Sequence, residues 1–251
     1  ERRKDVSILE MITSCPICNT PLVRSASGID VLCPNDHCPA RKIEGLIHFV
    51  SRPAMNIDGL GDAIIEDFYN MNIITKIEDI YNLKTKKEEL IELEGFGNKS
   101  VDNLLTSIEA SKSNSLEKLL FALGISGIGA KTAKVLAKKY DNIDNLMNAS
   151  VEELTNIKDI GDILATNIYS YLKKKKNIEL INNLKEIGIN MEYKGEKTLN
   201  NQLISNKKFV ITGTISFMSR DEIKALLEKY DGTAVDSVSK KTDVVIVGDS
   251  P

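Results

Sequence analysis

The spacing of hydrophobic residues separates a long helical region from a shorter region of a different type. Between residues 43 and 190, apolar side chains recur three and four positions apart, as at Ile64, Ile65 and Phe68. This periodicity predicts a series of short amphipathic helices. The apolar pattern fades from residue 194 to residue 206, where polar side chains predict a linker.

The pattern after the linker predicts a small α/β domain. Two short apolar runs, Phe209–Thr212 and Val244–Val247, have the composition of buried strands and each is followed by glycine. Ser219–Tyr230 between them is amphipathic, and Ser219 with Glu222 three residues later forms the sequence signature of a capping box. The order strand, helix, strand predicts a parallel sheet.

Composition narrows the classes of function. The chain has 251 residues, of which 42% are hydrophobic and 27% charged, as expected for a soluble globular protein of two or three domains. It lacks Trp and carries a net charge of −3, which disfavours base stacking and broad nucleic-acid coating. No apolar run is long enough to predict a membrane span.

Four cysteines lie close together in a segment rich in proline. Cys15 and Cys18 form one pair and Cys33 and Cys38 a second, which is the spacing of a four-thiolate structural zinc site. His37 could replace Cys38 as the fourth ligand, and a redox-active pair is the other alternative. With four ligands no coordination position is left for catalysis, and the segment would need the metal in order to fold.

A Gly-apolar-Gly step recurs every 32 to 36 residues through the helical region. Each copy follows one helical stretch and opens another, which is typical of the helix-hairpin-helix motif. Tetratricopeptide repeats have a similar period, but their paired helices are longer than those predicted here. The four copies, numbered as first to fourth hairpin, are Ile57–Gly61, Leu93–Gly97, Ile125–Gly129 and Ile157–Gly161.

The chemistry of these steps favours phosphate binding. Glycine permits a positive φ in a tight turn and lets a phosphate approach the backbone. The helix that follows presents unpaired N–H groups and the positive end of its dipole. Such a site recognises the nucleic-acid backbone and not the base sequence.

The four hairpins differ in charge. Lys131 and Lys134 follow the third and Lys99 follows the second, whereas acidic residues flank the first, and Asp159 replaces a glycine in the fourth. The first and fourth hairpins are therefore expected to act mainly as scaffold, and packing without any ligand remains an alternative for all four. The predicted contacts are Gly95, Gly97, Asn98, Lys99, Gly127, Gly129, Lys131, Thr132 and Lys134, together with Gly59, Gly61 and Gly161.

A run of four lysines, Lys173 to Lys176, ends one of the helical stretches. One interpretation is a solvated helix C-terminus, where cations complement the dipole. A phosphate contact is the alternative.

Several motifs together give the chain a resemblance to the C-terminal half of bacterial NAD⁺-dependent DNA ligases. The resemblance covers nearly the whole chain, and its order of zinc finger, helix-hairpin-helix and BRCT segments is specific. The motifs are Cys15-Pro-Ile-Cys18, Cys33-Pro-Asn-Asp-His-Cys38-Pro-Ala, His48-Phe-Val-Ser-Arg52, Ala54-Met-Asn-Ile-Asp-Gly-Leu-Gly61, Leu123-Gly-Ile-Ser-Gly-Ile-Gly129, Lys208-Phe-Val-Ile-Thr-Gly213 and Ser239-Lys-Lys-Thr-Asp-Val-Val-Ile-Val-Gly248.

This resemblance implies a role in sealing nicks in duplex DNA during replication and repair. In the family, a lysine of an N-terminal adenylation domain attacks NAD⁺, AMP passes to the 5′-phosphate, and the 3′-hydroxyl displaces it with Mg²⁺. That domain, with the Lys-x-Asp-Gly motif that contains the adenylated lysine, is expected to lie outside this chain, so no catalytic residue is expected here. The implied partner is nicked duplex DNA, gripped by a monomer in the bacterial cytoplasm in association with the nucleoid. The partner of the BRCT segment is left open.

Two other functions remain possible at this stage, an accessory of a DNA-repair nuclease and a scaffold protein that does not ligate.

The predicted fold is mainly α, with a four-Cys zinc finger, tandem helix-hairpin-helix motifs and a truncated BRCT-like α/β domain. The predicted layout is a remnant of an OB-like domain at 1–13, the zinc finger at 14–42, the hairpin domain at 43–193, the linker at 194–206 and a partial BRCT domain at 207–251.

Overall fold

A computed structural model describes residues 11–25, 28–195, 203–204, 207–215, 218–230, 232–240 and 242–249. Most of the predicted remnant at 1–13 and most of the predicted linker lie outside these residues. The chain divides into two compact units. The first comprises Glu1–Asn114, Phe121–Ser126 and Lys174–Ile189, and the second comprises Ser115–Leu120, Gly127–Lys173 and Asn190–Pro251.

The first unit contains the cysteines and the first two hairpins. Its core is built from aliphatic and aromatic side chains such as Phe49, Ile65 and Leu104, all at most 2% exposed. Phe49 meets Tyr81 edge to face, with 6.3 Å between ring centroids. The elements are β1 (Val23–Arg24), β2 (Val31–Leu32), α1 (Pro39–Val50), α2 (Asp62–Asn70), α3 (Ile77–Asn82), a 3-10 turn (Leu83–Lys86), α4 (Lys87–Ile91) and α5 (Asn98–Ser111).

The second unit contains most of the third hairpin and the fourth. Buried aliphatic residues, among them Leu136, Leu154 and Ile168, form its helical core. The prediction of short helices across this region is confirmed. The helices are α6 (Leu116–Ala122), which has residues in both units, α7 (Ala130–Tyr140), α8 (Ile143–Asn148), α9 (Val151–Thr155), α10 (Asp162–Lys173) and, in the first unit, α11 (Lys175–Glu186).

The predicted α/β segment is also confirmed. Strands β3 (Lys208–Thr212), β4 (Thr233–Val235) and β5 (Val244–Val247) form a parallel sheet of order β4-β3-β5. Helix α12 (Arg220–Lys229) packs on it, and Phe209, with two residues of α12, forms the small core.

The capping box at the start of α12 forms as the sequence predicts. The Glu222 N–H donates to Ser219 Oγ at 3.3 Å, and the Ser219 N–H donates to the Glu222 carboxylate at 2.8 Å. Strand β4 was not predicted, because three residues are too few to show an alternating pattern.

Candidate zinc site and nucleic-acid interface

The four cysteine sulfurs converge on one point. All four Sγ atoms lie within 4.8 Å of one another, with Cys15 3.9 Å from Cys38 and Cys18 3.5 Å from Cys33. Zinc–sulfur bonds of about 2.3 Å in a tetrahedron place neighbouring sulfurs roughly 3.8 Å apart. The cluster therefore fits Zn²⁺ with little rearrangement. His37 is exposed and stands outside the cluster, so Cys38 completes the set.

Local turns bring the two cysteine pairs together. Asn19 adopts a left-handed conformation with φ of 57°, and its N–H donates to the Cys15 carbonyl at 2.8 Å. The antiparallel strands β1 and β2 then return the chain to the second pair. Cys38 is the N-cap of α1 and Pro39 is the first helical residue, a favourable position for proline. The last ligand is thus joined directly to the helical core.

The four thiols lie so close together that a bound cation would stabilise their ionised forms. Hydrogen bonds with the side chain and backbone of Thr20 lower the pKa of Cys18 to about 6. Desolvation, with the neighbouring thiols, raises the pKa of Cys33 to about 12. Four clustered thiols cannot all ionise beside one another without a compensating positive charge, which Zn²⁺ supplies. Bound zinc would fix the fold of this segment, since four protein ligands fill its coordination sphere.

All four hairpins share one unusual backbone conformation. The first residue of each step has a positive φ, namely 95° at Gly59, 84° at Gly95, 84° at Gly127 and 69° at Asp159. Asp is among the few residues with a side chain that visit this region. The fourth hairpin therefore keeps its shape without the glycine. The remaining reasons to expect weaker phosphate binding there are the backbone strain and the negative charge of Asp159.

The second glycine of each step lies at the start of a helix. Gly61, Gly97 and Gly129 are the N-caps of α2, α5 and α7, and Gly161 directly precedes α10. A Cβ added at any of the four would meet no heavy atom within 4 Å. Their φ values, such as −71° at Gly61 and −88° at Gly129, suit any residue. The fold itself therefore does not require glycine there, and a ligand at the open helix start would meet no Cβ.

The apolar residue inside three of the four steps is buried, and in the remaining step it is half-buried. Leu60, Ile128 and Ile160 are 3%, 7% and 4% exposed. Phe96 is half-buried, and its ring centroid lies 5.4 Å from that of Phe68. These side chains hold the hairpins to the helices and leave the polar backbone outside.

In the first unit, the first two hairpins form a pair. A Cβ added at Gly59 would lie 3.4 Å from Leu104 of α5, the helix that follows the second hairpin. The Asp58 N–H, in the first hairpin, donates to Ser107 Oγ of α5 at 2.8 Å. The sequence predicts four copies but not which of them associate.

The third and fourth hairpins make the equivalent pair. A Cβ added at Gly127 would lie only 2.9 Å from Leu164 Cδ1 of α10, the helix that follows the fourth hairpin. Lys131 Nζ lies 3.7 Å from the Asp159 carboxylate. Both side chains of this ion pair are exposed, 88% and 65%, so it adds little stability.

The predicted contact residues lie at the helix starts. Asn98, Lys99, Lys131 and Lys134 are exposed there, and Thr132 is half-buried. In the second hairpin the Gly97 N–H already donates to Ser100 Oγ at 2.9 Å, so this amide has a partner within the protein.

The lysine run does not form a single helix C-terminus. Lys173 ends α10, but Lys175 and Lys176 belong to the first turn of α11. Lys174 and Lys176 lie 3.4 and 2.6 Å from the carboxylate of Asp36, which lies between the third and fourth cysteines. The interpretation of this run as a solvated helix end therefore holds only for Lys173.

The string Lys229-Tyr-Asp-Gly232 matches the Lys-x-Asp-Gly pattern of an adenylated lysine only formally. Lys229 is the last residue of α12, and the Gly232 N–H donates to the Leu227 carbonyl at 2.8 Å. A Cβ on Gly232 would lie 2.8 Å from Ile204. Helix termination and close packing account for this string, and the expectation of no catalytic residue here is unchanged.

Among the described residues, no helix combines the length and apolar character that crossing a membrane requires.

Three family models match the chain. Residues 14–40 match the NAD-dependent DNA ligase C4 zinc finger domain, residues 118–181 a helix-hairpin-helix motif, and residues 200–251 the BRCA1 C-terminus (BRCT) domain. The zinc finger match carries the most specific information, because its description names one class of enzyme.

Curated relatives match over almost the whole chain. A DNA ligase of Oceanobacillus iheyensis is 46% identical over 252 residues, covering 99% of this chain and 38% of that protein. DNA ligases of Anoxybacillus flavithermus and Bacillus subtilis are 47% and 43% identical, covering 96% and 100% of this chain and 36% and 38% of theirs. The chain thus spans less than two-fifths of the length of these relatives. It belongs to the NAD-dependent DNA ligase family and corresponds to the family's C-terminal portion of zinc finger, helix-hairpin-helix and BRCT modules.

Proposed function

We propose that this chain binds duplex DNA for a ligase by gripping backbone phosphates with its hairpins. The observation that carries the proposal is the set of four open helix starts, each preceded by a glycine that the fold does not require. Unpaired helix N–H groups and the helix dipole favour an anion at such a position. Backbone contacts of this kind suit an enzyme that must act at any sequence.

The hairpins share the work unequally in this proposal. Gly97 and Gly129 admit the phosphate, and the first amides of α5 and α7 donate to it. Lys99 and Lys131 add charge at the same helix starts, while Thr132 and Lys134 extend the contact along α7. Gly59, Gly61 and Gly161 belong to the hairpins that complete each pair and make weaker contacts.

The whole enzyme would seal nicks, using AMP taken from NAD⁺ and assisted by Mg²⁺. This chain would contribute no reacting group to that chemistry. Its residues would hold the duplex, and the zinc finger would fix one end of the grip. We propose a monomer that works in the bacterial cytoplasm at the nucleoid, and we assign no partner to the BRCT module. The nuclease-accessory and scaffold hypotheses are not favoured, because the matched zinc finger is that of a ligase.

The test is a salt titration of fluorescence anisotropy on a nicked duplex and on its intact counterpart. Binding that weakens steeply with salt is expected, and a preference for the nick supports the ligase role. Gly129→Ala should lower affinity by about 1.5–3 kcal/mol, the value of a hydrogen bond to a charged group, because its methyl group would lie where the phosphate meets the helix start. Lys131→Gln should flatten the log–log slope by about 0.9, the contribution of one phosphate neutralised by a cation on duplex DNA.

Gly45→Ala is the matched control, because Gly45 lies within α1 and an added Cβ there also meets nothing within 4 Å. Unchanged affinity for Gly129→Ala, with an unchanged slope for Lys131→Gln, would argue that the hairpins only pack. Wild-type protein that fails to bind either duplex at low salt would contradict the proposal for this chain.

A further inference from the structure

A charged patch in the first unit takes no part in the hairpin contacts. Its members are Asp36, Arg41, Lys174 and Lys176, named here the Asp36 cluster. The Asp36 carboxylate lies 2.6 Å from Lys176 Nζ, 3.2 Å from Arg41 and 3.4 Å from Lys174 Nζ. Three cationic side chains from two separate segments therefore converge on a single carboxylate.

The cluster is positive and accessible. Three cations and one carboxylate leave a charge of +2, and the four side chains are between 43% and 55% exposed. The chain as a whole carries −3, so its average composition does not account for a positive patch. A concentration of one sign at one place attracts ligands of the other sign.

The position of the lysines is unfavourable within the protein alone. Lys175 and Lys176 occupy the first turn of α11, a helix of 12 residues. The helix dipole is positive at this end and disfavours cations there. Asp36 is the only carboxylate that the described ion pairs bring to these lysines, and it offsets part of this cost.

Asp36 also arranges the cations. The Lys176 ammonium donates to the Asp36 carboxylate at 2.6 Å, and the Lys174 ammonium lies 3.4 Å from the same group. The contacts of Asp36 restrict three long side chains that would otherwise be mobile. A phosphate that binds the cluster would compete with this carboxylate for the same three cations.

We propose that the Asp36 cluster is an additional contact surface for the phosphodiester backbone of the DNA that the hairpins bind. The inference rests on the proposed function, since it takes the same nucleic acid as the occupant. A +2 patch of half-exposed Arg and Lys matches repeated phosphates in charge, and Arg can donate to one phosphate through two N–H groups. Aromatic side chains for stacking are absent from the cluster, so the contact is to the backbone.

The test compares charge variants of the 251-residue chain in salt titrations with the nicked duplex. Lys176→Gln should weaken binding and flatten the log–log slope by about 0.9. Lys84→Gln is the matched control, because Lys84 is an exposed lysine of the same unit on the 3-10 turn and should leave the slope unchanged. Lys176→Arg should retain the slope, since it keeps the charge.

Asp36→Asn distinguishes two roles for the cluster, which are binding DNA and holding the cysteine segment to α11. If the cluster binds phosphate, removing the carboxylate raises affinity and steepens the slope. If Asp36 only ties the cysteine segment to α11, the variant binds DNA no better and releases zinc faster to a chromogenic chelator, which would overturn the inference. Zinc content and far-UV circular dichroism on every variant verify the fold.

The inference and the proposed function can fail separately. Weaker binding by Gly129→Ala with a normal slope for Lys176→Gln would overturn the cluster proposal and leave the hairpin proposal intact. Loss of duplex binding by the wild-type chain would overturn both. Variants that bind polyglutamate more weakly but duplex DNA normally would overturn the nucleic-acid assignment and favour an acidic protein instead.

Discussion

The two hairpin pairs have the same backbone and different chemistry. In the first unit the hairpin at 57–61 is followed by acidic Asp62, and its partner is followed by Lys99. In the second unit the cationic member is the third hairpin and the acidic member the fourth. Each pair therefore combines one hairpin that is followed by a lysine with one that is followed by an acidic residue. Hairpin geometry and hairpin charge are independent properties of the sequence.

The pairs also differ in how strictly they need glycine. Both left-handed positions of the first pair are glycines, whereas the second pair has Gly127 and Asp159. An added Cβ meets nothing at Gly95 but lies 2.9 Å from Leu164 at Gly127. The requirement at Gly127 is therefore one of both conformation and space, while that at Gly95 is one of conformation alone.

The second position of each following helix shows the same contrast. It holds Ala63, Lys99, Lys131 and Ile163 in the four hairpins. Ile163 is 78% exposed, at the place where the third hairpin presents a lysine. The first and fourth hairpins thus lack a lysine at this position and are also followed by a carboxylate, Asp62 or Asp162.

The largest difference between the units should appear on removal of zinc. Structural zinc contributes on the order of 10 kcal/mol to the folding of small metal domains. A strong chelator should abolish amide protection over residues 14–42 in the first unit. Helices α7 to α10 of the second unit should keep their protection in the same hydrogen-exchange measurement. Loss of most of the far-UV helical signal would contradict a local role for the metal.

Alanine substitution at the left-handed glycines should separate the pairs by stability. Gly95→Ala should lower the free energy of unfolding by about 1–2 kcal/mol, the cost of a left-handed residue with a Cβ. Gly127→Ala should lower the free energy of unfolding by the same amount and by about 1–3 kcal/mol more, because its methyl group overpacks against Leu164. Urea denaturation of both variants provides the comparison, and equal losses would show that Leu164 moves aside freely.

Alanine at the open glycines should separate the hairpins by DNA affinity. Gly97→Ala and Gly129→Ala should each lower DNA affinity by about 1.5–3 kcal/mol, the value of a hydrogen bond to a charged group, because the methyl group would lie where a phosphate meets the helix start. Gly61→Ala and Gly161→Ala should change it less, because acidic residues flank those hairpins. The fold should tolerate all four, since an added Cβ meets nothing within 4 Å. Four equal effects would mean that geometry, and not charge, determines the grip.

Two substitutions at Asp159 should have the smallest effects. Together they distinguish the backbone strain at this residue from the effect of its negative charge on DNA affinity. Asp159→Asn removes the charge and keeps a residue that tolerates positive φ, so DNA affinity should rise with little change in stability. Asp159→Gly should raise affinity as well and stabilise by up to about 1 kcal/mol, after the flexibility of glycine in the unfolded chain is offset. Thermal unfolding and anisotropy together distinguish the two variants, and lower affinity for both would assign Asp159 a useful role in orienting Lys131.

Much of the site could be predicted from local sequence. The zinc ligands follow from the spacing of four cysteines, and the hairpins follow from glycines at fixed distances from buried apolar residues. The strands β1, β2 and β4 could not be predicted, because elements of two or three residues carry no periodicity. The sequence predicts a single helix end at the lysine run, because no proline or glycine marks the boundary between α10, which ends at Lys173, and α11, which begins at Lys175.

The sequence by itself determined the metal site, the four hairpin turns and the parallel α/β segment. Each depends on backbone and ligand requirements that neighbouring residues satisfy. Tertiary structure alone decided the pairing of the hairpins and the crowding at Gly127. It also decided the ion pair between Asp36 and Lys176, which are 140 residues apart in the chain. Such contacts depend on how distant elements pack, and no local pattern records that packing.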